Sequence, residues 1–183
     1  MTEFKDFGKI ARISRECVIT EKIDGTNAQI FIGEDGEFLT GSRNRWITPD
    51  NDNQGFSRWA HEHKDELMRL GPGRHFGEWW GKGIQRGYGA PDKRFSLFNA
   101  SAWTETPPPS CCLVVPVLYV GEFTTEAVNR CIDMLKLGGS RAIPFMDPEG
   151  IVVYHTAARV YFKKTIENDE SPKSRIGNGQ QAS

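Results

Sequence analysis

Short apolar runs, and apolar residues that alternate with polar ones, recur along most of this chain. Residues 17–20 and 28–32 are rich in β-branched and aromatic side chains, and they flank an Asp24-Gly25 turn pair. We therefore predict two strands that meet beside Lys22. Similar patterns predict further strands at residues 38–40, 74–80, 95–98, 112–120, 150–154 and 159–162.

Two segments have the wider spacing of apolar residues that is typical of helices. The first begins near Ser57, which can cap a helix, and runs to about Leu70 before a Gly-Pro-Gly turn. The second covers residues 125–137. Residues 104–110 include three consecutive prolines, which lack amide donors, so we predict a surface connection there. This mixture of strands and helices predicts an α+β fold.

The length of 183 residues suits one domain, which we assign to residues 1–168. Residues 169–183 are polar, and we expect them to form a disordered tail. The longest apolar stretch, residues 111–120, is shorter than the roughly 20 residues that cross a bilayer. We therefore expect a soluble, cytoplasmic protein that does not contact a membrane.

The charges of the chain nearly cancel, with 23 basic and 24 acidic residues. No global positive field indicates a nucleic-acid partner, so any such affinity depends on a local basic patch. The candidates for that patch are Arg43 with Arg45, Lys82 with Arg86, and Lys93 with Arg94.

The tetrad Lys22-Ile23-Asp24-Gly25 places a lysine at a predicted strand end. In isolation, a solvated lysine before a turn is the ordinary interpretation. Here the tetrad is followed by further basic, acidic and aromatic motifs. These are Ser42-Arg43-Asn44-Arg45, Phe76-Gly77-Glu78, Phe95-Ser96-Leu97-Phe98, Glu149-Gly150-Ile151-Val152-Val153 and Phe162-Lys163-Lys164.

In this order the motifs resemble those of the covalent nucleotidyltransferases, which include polynucleotide ligases and messenger RNA capping enzymes. Residues 21–27 and 76–85 are most similar to the RNA ligase 2 type of RNA ligase. The resemblance implies two antiparallel β-sheets that flank a nucleotide cleft, with helices outside. Family members often append an OB-fold domain, but only a short polar tail follows Lys163, so we expect no appended OB domain.

The resemblance also implies roles for individual residues. Lys22 is expected to attack the α-phosphorus of ATP, for which it must lose its proton, and a neighbouring cation such as Lys163 favours that loss. Glu149 is expected to position Mg²⁺ or Mn²⁺. The nucleotide-binding positions implied by the resemblance are Glu21, Asn27, Arg43, Glu78, Phe95, Lys163 and Lys164.

Two of these positions leave alternatives open. Phe95 matches the residue that stacks on the base in the family, and Phe98 is the alternative, with one of the two expected in the core. The last motif of the family ends in two lysines separated by one residue. Here Lys164 follows Lys163 directly, and strand alternation places Thr165 on the face of Lys163 while it turns Lys164 away. Either the strand carries a local irregularity or one cation of the motif is missing.

We therefore expect an ATP-dependent RNA or polynucleotide ligase that forms a lysine-AMP intermediate. The AMP would pass to a 5′-phosphate end, which is then sealed to a 3′-hydroxyl. The expected partners are nucleic-acid ends, RNA foremost. Without an appended domain, the chain is a minimal ligase, a ligase that needs a protein partner for nucleic-acid binding, or an adenylyltransferase whose acceptor is not a nucleic acid. A GTP-dependent capping-type guanylyltransferase and a non-catalytic nucleotide- or RNA-binding module are the competing functions.

Overall fold

Two β-sheets with helices on their outer faces form the part of the chain that the computed structural model describes, residues 2–169. This arrangement confirms the predicted α+β class. The strands are β1 (Glu16–Lys22), β2 (Thr26–Ile32), β3 (Phe38–Ser42), β4 (Trp46–Ile47), β5 (Gly73–Gly81), β6 (Lys93–Leu97), β7 (Cys112–Val114), β8 (Val117–Glu122), β9 (Gly150–His155) and β10 (Val160–Thr165). The helices are α1 (Phe56–Glu62), α2 (Lys64–Leu67) and α3 (Thr125–Gly138), with 3₁₀ turns at Met68–Leu70 and Ala100–Trp103.

The first sheet has the strand order β10-β9-β1-β8, and we call it the lysine sheet because β1 ends at Lys22. The second has the order β4-β3-β2-β5-β6-β7, and we call it the glutamate sheet because Glu78 lies in β5. The lysine sheet is antiparallel throughout, as predicted. The glutamate sheet is antiparallel except for its β6–β7 pair, which is parallel.

Each sheet has its own hydrophobic core. Helices α1 and α2 cover the glutamate sheet, where Phe56 and Leu67 pack against Ile30. Helix α3 covers the lysine sheet, where Leu135 packs against Ile19. The remaining face of each sheet is left free of helices, and these two faces form the walls of a cleft.

A third core cluster joins the sheets at the base of this cleft. Ile23, Trp80, Tyr88 and Val115 are all buried in it, and Phe145 packs against them. Ile23 belongs to the connection between β1 and β2, so this cluster lies next to the predicted nucleophile. The position of Lys22 is therefore determined by packing as well as by strand pairing.

The first helix differs from its prediction. It begins at Phe56, Gly55 precedes it, and Ser57 is buried with its hydroxyl 2.7 Å from that of Thr40. The carboxylate of Asp52 accepts hydrogen bonds from the first helical amides, at 2.7 and 3.0 Å. Ser57 is therefore not the cap, because it lies inside the helix, and the carboxylate of Asp52 accepts from these amides from the preceding turn.

The single buried strand predicted at residues 112–120 is also wrong. Val115 and Pro116 divide it into β7 of the glutamate sheet and β8 of the lysine sheet. The Pro116 carbonyl accepts a hydrogen bond from the amide of Glu21 at 2.9 Å, although proline has no amide to return. The chain thus crosses between the sheets here, and Val117 and Val120 are exposed.

At the C-terminal end, Asp169 accepts a hydrogen bond from the amide of Thr165 at 2.8 Å. This first residue of the predicted tail is therefore attached to β10. The rest of the predicted tail, residues 170–183, lies outside the described residues. Between residues 2 and 169, no helix has both the length and the apolar character needed to cross a membrane.

Candidate active site

The cleft between the two sheets has a volume of about 1100 Å³. This is at the upper end of the volumes typical of small-molecule sites. Most of the predicted nucleotide-binding residues line it. The lining includes Glu21, Lys22, Asn27, Arg43, Glu78 and Lys163 from the prediction, together with Phe98.

Lys22 and Glu149 form an ion pair at the inner end of the cleft. The Lys22 ammonium donates to Glu149 Oε2 at 2.6 Å, and the Glu149 side chain is only 3 % exposed. The contact follows from the strand register, because Lys22 pairs with Gly150, the residue after Glu149. The predicted nucleophile and the predicted metal-binding carboxylate are therefore brought together across 127 residues of sequence.

The turn after Lys22 is held against the glutamate sheet. The amide of Gly25 donates to Glu78 Oε1 at 3.0 Å, and the Asn27 side-chain amide donates to Glu78 Oε2 at 3.3 Å. A Cβ atom at Gly25 would collide with the carbonyl oxygen of Trp79. Glycine at this position therefore allows the lysine turn to approach β5 closely.

Glu78 lines the cleft, and its carboxylate is a hydrogen-bond acceptor group with about four acceptor sites. Ser96 in β6, beside Glu78, is buried and accepts a hydrogen bond from Trp80 Nε1 at 2.9 Å. Asn27 and Glu78 pair across β2 and β5 and line the cleft as a polar row. This row of polar side chains faces Lys22 across the cleft. It can accept hydrogen bonds from, and donate them to, the hydroxyl groups of a bound ligand.

Asp24 connects the lysine turn to the loop that carries Glu149. Its carboxylate accepts from Arg86 Nε at 3.1 Å, and Arg86 also pairs with Asp147 at 2.7 Å. The Asp24 amide donates to the hydroxyl of Tyr88 at 3.0 Å, and burial raises the pKa of Tyr88, which keeps the phenol neutral. Tyr88 was missed in the sequence, because no local pattern marks a tyrosine 64 residues away as a partner of this turn.

Ion pairs within the protein reduce the number of candidate basic patches that can bind an anionic ligand. Arg86 and Arg94 are each bound to carboxylates, the first to Asp24 and Asp147 and the second to Asp92 at 2.7 Å. Arg43 is exposed at the cleft, and it forms no ion pair with any residue between 2 and 169. It is the candidate arginine most available to an anionic ligand.

The two lysines near the end of β10 point in different directions. Lys163 pairs with Val152 and lines the cleft. Lys164 pairs with Ile151, which is buried against α3, and its ammonium contacts Asp169 at 3.4 Å. The assignment of Lys164 to nucleotide binding is therefore wrong, because strand alternation turns this side chain away from the cleft.

The assignment of Phe95 is also wrong. Phe95 is completely buried in the core under the glutamate sheet, where it packs on Phe56. Phe98 is 38 % exposed and lines the cleft, and its amide donates to the carbonyl of Phe76. Of the two alternatives, Phe98 is the ring that a base can reach.

Glu21 borders the cleft, but its carboxylate is buried. Oε2 accepts from the amide of Arg141 at 2.7 Å, and burial raises the pKa of this carboxyl group. Glu21 and Lys22 alternate along β1, so their side chains leave the strand on opposite faces. A role for Glu21 in nucleotide binding stays a prediction.

A divalent cation would find one buried carboxylate here rather than a complete protein cage. No group of three or more His, Cys, Asp or Glu residues within residues 2–169 is arranged to hold a metal ion. Mg²⁺ is commonly bound by one or two carboxylates together with phosphate oxygens and waters. Glu149 therefore fits a cation that arrives with a phosphate ligand.

Comparisons with known proteins agree with this geometry. The model of the RNA ligase family matches residues 15–169. Among solved structures, an RNA ligase mutant from Naegleria gruberi with ATP and Mn has a TM-score of 0.61 at 17% identity, covering 85% of this chain and 51% of that one. Another mutant of that ligase, with AMP and Mn, has a TM-score of 0.59 at 17% identity, covering 84% and 50%.

These structural likenesses establish the fold. This chain spans about half the length of the solved ligases that it matches. No curated protein sequence matches it significantly.

Proposed function

Because this chain belongs to the RNA ligase family, we propose that it is the nucleotidyltransferase unit of an ATP-dependent ligase that joins RNA ends. The contact between Lys22 and Glu149 carries the proposal. It joins an amine nucleophile to a buried carboxylate at the inner end of a cleft that is large enough for a nucleotide. The ATP and AMP complexes of the Naegleria gruberi ligase support the choice of an adenine nucleotide.

In the first step, Lys22 Nζ forms a bond to the α-phosphorus of ATP. The bond between that phosphorus and the bridging oxygen breaks, and pyrophosphate leaves with the electron pair. The ammonium form has no free lone pair, so the ion pair with Glu149 must open and the amine must lose its proton before attack. A lysine-AMP adduct with a phosphorus–nitrogen bond is the product.

The glutamate sheet would hold the nucleoside. Glu78 and Asn27 lie in the polar row opposite Lys22, where they can bind the ribose hydroxyls. Phe98 presents an exposed ring on the same wall and would stack on the base. Such contacts fix the α-phosphorus within reach of the amine, which is the main contribution of positioning to catalysis.

Lys163, and a cation bound by Glu149, would neutralise the negative charge of the phosphates. Lys163 reaches the cleft from β10 and can bind a phosphate oxygen. Glu149 would hold a divalent cation. When bound, this cation would neutralise charge on the triphosphate and orient the leaving pyrophosphate. Thr165 stands where the family has a second lysine, so this chain brings one cation fewer to the phosphates from β10.

The later steps use the same cleft. An oxygen of the 5′-phosphate end attacks the AMP phosphorus, and the bond to Lys22 breaks to release the lysine. A 3′-hydroxyl then attacks the phosphorus of the RNA end, and AMP leaves with its electron pair. Arg43, exposed at the cleft and unpaired with any acid in residues 2–169, can bind the phosphate of that end through its planar fork.

Intact-mass measurement of the purified chain tests the proposal. Incubation with ATP and a divalent metal should add the mass of one adenylate, and pyrophosphate should then remove it. Absence of an adduct with ATP would overturn the proposal, whereas an adduct formed with GTP instead would indicate a guanylyltransferase. Lys22→Arg, which keeps the charge but cannot readily lose a proton, is the matched control.

A further inference from the structure

The cleft wall of the glutamate sheet continues beyond the polar row as an aromatic and basic surface. Phe31, Trp46 and Arg74 lie there, and we call them the aromatic–arginine strip. Phe31 follows Asn27 by four residues along β2, so the strip begins about 14 Å farther along the wall. Trp46 and Phe31 have ring centroids 6.4 Å apart.

Arg74 organises this strip. Its guanidinium lies over the ring of Phe31 at 5.0 Å and over that of Trp46 at 5.2 Å. It also donates to Gln29 Oε1 at 3.2 Å, and Gln29 in turn donates to the carbonyl of Ser42 at 3.3 Å. Ser42 precedes Arg43, so the strip is connected to the arginine at the cleft.

The strip is exposed and positively charged. Trp46 is 44 % exposed, while the other four tryptophans of the chain are buried or half-buried. Neither Arg43 nor Arg74 pairs with a carboxylate in residues 2–169. The lysine of the active site, by contrast, is neutralised by Glu149.

An exposed ring beside unneutralised guanidinium groups matches the chemistry of an unpaired nucleic-acid strand. Bases of a single strand can stack on an aromatic face, and its phosphates attract arginine. Bases inside a duplex are already stacked on each other and cannot reach Trp46. An apolar protein partner would leave the charges of Arg43 and Arg74 uncompensated, which is costly in an interface.

We propose that the aromatic–arginine strip binds an unpaired stretch of the RNA strand whose end lies in the cleft. A base stacks on Trp46, and the neighbouring phosphates contact Arg74 and Arg43. This inference rests on the proposed function, because it supplies the nucleic acid that the active site would act on. It assigns a substrate class, RNA with unpaired nucleotides next to the joint.

The test measures RNA binding by the full chain. The probe is a fluorescein-labelled, mixed-sequence oligoribonucleotide of about ten nucleotides with a 5′-hydroxyl, so that no sealing occurs. Trp46→Ala should weaken binding by about 5- to 150-fold, the range for loss of one stacked base, and Trp46→Phe should retain most of it. Binding of the probe should also quench the tryptophan fluorescence of the parent but not that of Trp46→Phe.

Charge is tested separately from stacking. Arg74→Gln should weaken binding and reduce the dependence of affinity on salt by about one phosphate contact. The matched control is Arg130→Ala, which removes an equal charge from the exposed face of α3. A blunt duplex of the same sequence should bind the parent and the Trp46 variants equally.

The outcomes separate this proposal from the proposed function. The lysine-AMP adduct is measured on every variant, and Trp46→Ala should form it like the parent. If the adduct forms but the Trp46 and Arg74 variants bind the single strand as the parent does, the strip proposal is overturned. If the parent binds RNA through Trp46 but forms no adduct, the strip stands and the proposed function fails. Failure of the parent to bind the single strand would also overturn the strip.

Discussion

The two walls of the cleft divide the chemistry between them. The lysine sheet contributes the charged groups, Lys22 and Lys163, with Glu149 immediately before β9. The glutamate sheet contributes the row of Asn27 and Glu78 and the exposed ring of Phe98. In the proposed function, the lysine sheet would react with phosphate, and the glutamate sheet would recognise the nucleoside.

The two walls also differ in the interactions that fix their side chains. On the lysine sheet, Lys22 and Glu149 are held together by an ion pair, which can open when a ligand binds. Groups on the recognition wall are fixed by strand register and by contact with a core that contains Trp79 and Phe95. Damage to one wall should therefore stop chemistry, and damage to the other should weaken binding.

The largest expected effect is on the reactive wall. Lys22→Ala should abolish the adenylate adduct, because it removes the amine that the proposed mechanism uses as nucleophile. Nucleotide affinity should change little, since the residues proposed to bind the base and the ribose lie on the opposite wall. Intact mass and equilibrium binding of ATP measure the two properties, and an adduct on the variant would show that another residue is the nucleophile.

The two phenylalanines of β6 and its end give the next comparison. Phe95→Ala should lower the free energy of unfolding by about 3 to 5 kcal/mol, because it leaves a cavity in a packed core. Phe98→Ala should leave stability nearly unchanged and weaken ATP binding by about 5- to 150-fold through loss of stacking. Urea denaturation and ATP titration of both variants test whether Phe95 belongs to the core and Phe98 stacks on the base. Equal ATP affinity for Phe98→Ala and the parent would contradict the role of Phe98.

The lysine pair in β10 should show a smaller contrast. Lys163→Ala should slow adduct formation by about 100-fold, which is typical for loss of one group that stabilises developing charge. Lys164→Ala should leave the rate almost unchanged, because its side chain contacts Asp169 outside the cleft. Thr165→Lys adds a cation on the cleft face, and single-turnover rates should show whether it accelerates the step beyond the parent.

Glu21 should give the smallest effect, and it depends on pH. Burial raises the pKa of this carboxyl in the folded state, so the stability linked to its proton is present below about pH 4.5 and is lost as pH rises through the folded pKa. Glu21→Gln cannot ionise, and it keeps an oxygen for the Arg141 amide. Its stability relative to the parent should therefore increase with pH in urea denaturation, and a constant difference would contradict the assignment.

Sequence reasoning succeeded where a local pattern determines structure. Alternation in residues 17–20 and 28–32 predicted β1 and β2, and the Asp24-Gly25 pair predicted the turn between them. The lysine and the cleft-facing carboxylates followed from motif order. These features depend on the residue itself and on its immediate neighbours.

Sequence patterns did not predict features that depend on a shift of one residue in strand register or on a contact with a distant residue. Phe95 and Phe98 differ by three positions, so they leave the chain on opposite faces, and only pairing with β5 shows which face is buried. The helix cap at Asp52 and the strip of Phe31, Trp46 and Arg74 depend on contacts between separate elements. No local sequence pattern predicts such contacts between separate elements.

The core cluster at the base of the cleft has a mechanical consequence. Ile23, Trp80 and Tyr88 connect the sheets beside Lys22, whereas the other two hydrophobic clusters described in residues 2–169 each pack against one sheet. A rotation that widens the cleft would have its axis near this cluster. Lys22, next to this cluster, would then move less than residues farther along the walls, so the outer part of the cleft would widen while the proposed nucleophile stays almost stationary.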